Sequence, residues 1–144
     1  MKKIILLILV SLNLQADQIN KTFFSGLAVE GYDVVAYFKE SKPVKGKSEF
    51  EYSWNGAKWR FSSNENLELF KKDPNKYSPE YGGFCAYAMS EGYKYGISPD
   101  SWEIVNGKLY LNYDKEVQMK WTKEKSKLIT QADSNWKKIA GDKK

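Results

Sequence analysis

Phe50-Glu51-Tyr52-Ser53-Trp54-Asn55-Gly56-Ala57-Lys58-Trp59-Arg60-Phe61 reads as two short strands joined by a tight turn. Asn-Gly is the favoured pair for a type I′ hairpin because both central residues must take positive φ. The turn fixes the register. Tyr52 stands opposite Trp59 and Phe50 opposite Phe61 on one face, with Glu51 opposite Arg60 and Ser53 opposite Lys58 on the other. A hairpin with one aromatic and one polar face packs on its neighbours with one side only.

A second hairpin uses the same turn. Trp102–Val105 and Lys108–Tyr113 flank Asn106-Gly107, with Ile104 facing Leu109 and Trp102 facing Leu111. Helices fall between and after the hairpins. Ser62 is placed to cap a helix, Glu65 completes a capping box, Leu67 and Phe70 form the inner stripe, and Asp73-Pro74 ends it. A short helix is predicted from about Phe84 to Glu91. Asp114 caps a last helix, in which Val117, Trp121, Leu128, Ala132, Trp136 and Ile139 recur at the helical period. The apolar run Val34–Phe38 is a buried strand or a turn of helix, and residues 41–48 are a loop. The implied fold is a small single α+β domain: two antiparallel hairpins with Asn-Gly turns, packed with three helices.

The 144 residues suit one domain. Lys2 and Lys3 followed by the apolar run Ile4 to Leu14 and the small Ala16 read as a signal peptide over residues 1–16. The run is shorter than the roughly 20 apolar residues of a membrane span; a retained membrane-tethering segment is the alternative. Cleavage near Ala16 predicts an exported protein, periplasmic or extracellular, with no transmembrane span in the mature chain. Residues 17–26 are then a flexible lead-in, 27–139 the domain and 140–144 a disordered tail.

The net charge of +5 falls to +3 once Lys2 and Lys3 leave with the leader. That is too mild to argue for nucleic acid, and Arg60 is the only arginine available for bidentate phosphate or base contacts. One cysteine cannot form an internal disulfide, so an exported domain of this size depends on its core, which an aromatic share of 15% can supply.

Chemistry concentrates in Tyr81-Gly82-Gly83-Phe84-Cys85-Ala86-Tyr87-Ala88-Met89. The chain has no histidine, which removes Ser-His-Asp, Cys-His and histidine-bearing zinc sites. Cys85 is thus the one side chain suited to nucleophilic, redox or soft-metal chemistry near neutral pH. In the first turn of a helix, free N–H groups would favour its thiolate. With no second cysteine, a redox cycle would need an external thiol or a redox partner protein. The competing reading is a buried, inert cysteine. Cys85 and Met89, four apart, would share a helix face and offer two soft ligands to copper, with Met119 a third only if the fold brings it near; Met89 as core filling is the alternative. Tyr81, Gly82, Gly83, Phe84 and Tyr87 are candidates for a binding pocket. Together with Tyr77, Tyr93 and Tyr95 the aromatics could equally be core. Asp33, Glu80, Glu91 and Asp100 are candidate acids near the thiol, and nothing in their spacing selects one.

Four stretches resemble the YHS domain family, most closely its extracytoplasmic branch of YHS-domain (seleno)proteins. They are Gly31 to Phe38, Phe50 to Ser63 with Phe70 to Tyr77, Tyr81 to Ala88, and Gly107 to Tyr113. The resemblance implies the fold. It also implies redox chemistry at Cys85, where members of that branch carry selenocysteine. Metal-binding relatives place cysteines near the positions of Ala36, Ser62 and Asn66, so their metal site is not implied here. The function implied is thiol-dependent redox or ligand handling centred on Cys85. The alternative is a non-catalytic small-ligand or copper-binding module.

Overall fold

The computed structural model describes residues 18–141; residues 1–17, where the signal peptide is expected, and residues 142–144 lie outside them. Two two-stranded antiparallel sheets are wrapped by helices, as an α+β domain should be. In chain order a 3-10 turn at Val29–Gly31 leads to α1 (Val34–Lys39), β1 (Lys47–Trp54), β2 (Ala57–Phe61), α2 (Asn64–Lys72) and α3 (Pro74–Tyr77). A second 3-10 turn at Glu80–Gly83 precedes α4 (Ala86–Ser90), β3 (Trp102–Val105), β4 (Lys108–Leu111), α5 (Lys115–Lys123) and α6 (Lys125–Ala140).

The first hairpin keeps the predicted register near its turn, pairing Glu51 with Arg60, Tyr52 with Trp59 and Ser53 with Lys58. Asn55 and Gly56 both take positive φ, as the turn demands. Further out the expectation fails. Phe61 pairs with Lys47, not Phe50, because a bulge shifts β1 between Lys47 and Glu51. Phe50 still packs, half-buried, against the core. The second hairpin has the predicted register, although β4 ends at Leu111 rather than Tyr113. Its strand β4 is buried on both sides. Leu109 and Leu111 enter the main core, while Tyr110 points into a second cluster with Met89, Trp121, Leu128 and Ala132. The period of two along a strand produces this division.

The helices differ from the expected three: six α-helices lie among the described residues. Val34–Phe38 is helical because the Asp33 carboxylate caps it, accepting from Val35 N and Ala36 N. Pro74 ends α2 and starts α3, occupying a first-turn position where its missing N–H costs nothing. The cap of α2 is Ser63, which accepts from Asn66 N at 3.1 Å, not Ser62. Ser62 is engaged elsewhere. The predicted last helix is two, because Glu124 leaves helical geometry between α5 and α6. Asp114 caps α5 as expected.

The segment read as a lead-in is docked on the domain. Ile19 is buried in the main core, and Asn20 N donates to Gly82 O at 2.9 Å.

Candidate functional site

The approach to Cys85 is made by backbone that turns sharply. Tyr81 and Gly82 both sit in left-handed conformation, at φ 58° and 62°. For a bulky residue such as Tyr81 this is strained and must be held from outside. Its hydroxyl donates to Asp133 Oδ1 at 2.9 Å, and its ring packs on Tyr110 and Trp136. Gly82 is used by the chain itself. Gln18 O lies where a β-carbon on Gly82 would have to stand, so the glycine admits the N-terminal segment rather than a ligand.

Cys85 is not inside a helix but at its N-cap, with non-helical backbone (φ −55°, ψ 121°). Its N–H donates to Tyr95 O at 3.0 Å, and its carbonyl accepts from Met89 N. The thiol is 1% exposed and donates to Asn112 Oδ1 at 3.6 Å. That same oxygen accepts from Tyr87 N at 3.1 Å, while the fully buried Asn112 Nδ2 has no partner among the described residues. Burial pushes the Cys85 thiol up. The nearby N–H groups of Ala88, Tyr113 and Tyr87 pull the other way without overcoming it, and Asp114 adds to the rise. At rest the group is a protonated, closed thiol. Three half-exposed rings form a row: Tyr93 meets Tyr95 at 6.2 Å and Tyr95 meets Tyr113 at 5.1 Å.

Cys85 and Met89 do not form the expected pair on one face. Cys85 is the N-cap of α4, where the side chain leaves the helical face on which Met89 lies. Cys85 packs in the main core and Met89 in the second cluster. Met119 is largely exposed on α5.

Of the five pocket candidates, Tyr81 and Gly82 line one surface groove of about 310 Å³, with Trp54, Trp136, Asn55, Asn75 and Glu80 among the other walls. Burial holds the Glu80 carboxyl above its usual range, with Asp133 adding to the rise and Lys108 opposing it. Gly83, Phe84 and Tyr87 do not line it. Phe84 packs on Trp136 beneath the Lys94 ammonium, and Tyr87 is tied to Asn112. Trp54, Trp136 and Asn112 were not predicted as site residues, because hairpin and helix periodicity accounts for each of them as packing.

Asp33 is fully buried and sits at a polar hub. Oδ1 accepts from Val35 N and Ala36 N at 2.9 and 3.1 Å. Oδ2 accepts from Ser62 N, Ser62 Oγ and Asn66 Nδ2, each at 2.8 Å. Ala36, Ser62 and Asn66, near which the resemblance would place the cysteines of metal-binding relatives, thus converge on one carboxylate. The donor set does not fit a soft metal. It holds no thiol, and Ser62 and Asn66 use their polar hydrogens on Asp33. No group of three or more Cys, Asp or Glu suited to a metal ion occurs among the described residues, and none of their helices is long and apolar enough to cross a membrane.

Residues 35–81 match the family model of the YHS domain. The matched stretch runs from α1 to the left-handed Tyr81 and ends four residues before Cys85. Neither a curated protein nor a solved structure matches the chain.

Proposed function

Taking as premise that residues 35–81 are a YHS domain, we propose that this is an exported, non-catalytic binding module whose ligand occupies the groove between Trp54 and Trp136. The groove itself carries this reading. It joins two half-buried indoles to the amides of Asn55 and Asn75 and the Glu80 carboxyl, at a volume within the range of small-molecule sites, roughly 300–1,000 Å³. The ligand class that suits it is a small molecule with one apolar face and several hydrogen-bonding groups. The closed thiol favours binding over thiol catalysis, because the thiolate is the reactive form. A fragment screen read by NMR tests the proposal. The indole N–H signals of Trp54 and Trp136 should move together, and Trp136→Ala should abolish the response. Fragments that bind while shifting only Tyr93, Tyr95 and Tyr113 would overturn it.

A second reading rests on the N–H groups of Tyr87, Ala88 and Tyr113 around the sulfur, which would support a thiolate once formed. In that reading the stretch 93–98, which has no regular structure, opens to admit an external thiol or a redox partner protein. The copper reading gains nothing from the fold, since its two side chains pack in different clusters.

A further inference from the structure

We propose that the loop carrying Phe23 and Phe24 docks the domain on an anionic lipid surface. The two rings are 92% and 97% exposed and meet edge to face at 4.9 Å. Their exposure is built in by the loop. Thr22 N donates to Leu27 O, Gly26 N to Thr22 O and Leu27 N to the Thr22 hydroxyl, each at 2.9 Å, while Thr22 and Ser25 bond through their hydroxyls. Backbone bridges from Lys21 to Ala28 and from Leu27 to Lys58 fasten its base. A closed loop thus holds two phenylalanines away from the core.

The surroundings select the occupant. Two phenylalanines offer at most about 500 Å², less than the roughly 800 Å² per partner of a stable protein interface. The loop residues that flank them are Lys21, Thr22, Ser25 and Gly26, none of which carries a large apolar side chain. A bilayer needs no complementary shape and accepts a small convex apolar tip. Charge agrees. Lys21 and Lys58 stand at the loop's base, and no acid occurs in residues 18–28 or 53–58. The nearest carboxylates in the sequence are Asp17 and Glu30, each six residues from the nearer phenylalanine, and Glu30 lies across the groove that Lys21 and Thr22 also line. The apolar run ending at Leu14 precedes Phe23 by nine residues, so export would deliver this end of the domain at a membrane.

The test is co-sedimentation of residues 17–144 with phosphatidylcholine vesicles, with and without phosphatidylglycerol. Every residue of the buried core lies between Ile19 and Ala132, so this chain retains the whole core. Partition should require phosphatidylglycerol and weaken in high salt. It should fall by about tenfold or more in the Phe23→Ser/Phe24→Ser double variant and by about fivefold in Lys58→Gln. Circular dichroism should be unchanged in both variants, because the substituted side chains are exposed. Equal partition of the double variant overturns the proposal, as does wild-type protein that stays in the supernatant at every lipid composition. A concentration-dependent dimer that the double variant loses would assign the tip to a second copy and overturn it too.

Discussion

Gln18 O lies 1.7 Å from the position a β-carbon on Gly82 would take, and Asn20 N donates to the Gly82 carbonyl. The N-terminal segment therefore closes over the turn that leads to Cys85. Gly82→Ala should cost about 2–4 kcal/mol in urea unfolding, since backbone rather than a flexible side chain must move. Gly56→Ala makes a useful comparison. It has the same positive φ and open space around it, so only the conformational cost of about 1–2 kcal/mol applies. Equal losses in the two variants would mean that the contact at Gly82 contributes nothing.

Asp33 ties the start of α1 to the β2–α2 junction through five neutral donors. Asp33→Ala orphans several buried donors at once and should cost about 3–5 kcal/mol. Asp33→Asn keeps the shape but turns an N–H₂ toward donors, for a loss of about 2 kcal/mol. Denaturant midpoints for the two variants check the order; an Asn variant as costly as Ala would count against the hub.

Cys85 should resist alkylation in the folded protein and react only with opening, since its thiol is buried and its pKa raised. The sign of the linkage follows. A folded pKa above the unfolded value of about 8.5 makes the buried thiol's contribution complete below that pH. It is lost as pH rises from there through the folded pKa. The stability gap between wild type and Cys85→Ala should therefore narrow in alkali. Fast labelling of folded protein at neutral pH would instead restore the thiol-centred reading.

Tyr37, Tyr81 and Tyr110 are all shifted upward, chiefly by burial, with Tyr110 pushed up to about 12. Their stabilisation is present below the unfolded value of about 10 and is lost as pH rises above it. An ultraviolet titration should show these three phenols ionising only with alkaline unfolding. Ionisation of all ten tyrosines in one step near pH 10, with the fold intact, would contradict the burial.

Much of the fold was legible because its signals are local. Asn55-Gly56 and Asn106-Gly107 specify their turns by φ preference, and alternation then pairs Tyr52 with Trp59 and Ile104 with Leu109. The bulge between Lys47 and Glu51 has no signal in the turn residues or in the alternation that set the register near Asn55-Gly56. The cap on α2 moved from Ser62 to Ser63 because Ser62 is claimed by Asp33, 29 residues away in sequence.

The candidate site divides along the same line. The sequence by itself determined that Cys85 is the lone thiol, that no histidine can assist it and that glycines precede it. Only the tertiary structure decided that Gly82 receives Gln18, that Asn112 Oδ1 accepts a hydrogen bond from the thiol and that Met89 packs in another cluster than Cys85. Composition and local backbone preference belong to a residue and its near neighbours. Burial, and with it the state of a titratable group, is set by distant chain, because desolvation depends on everything packed around the group.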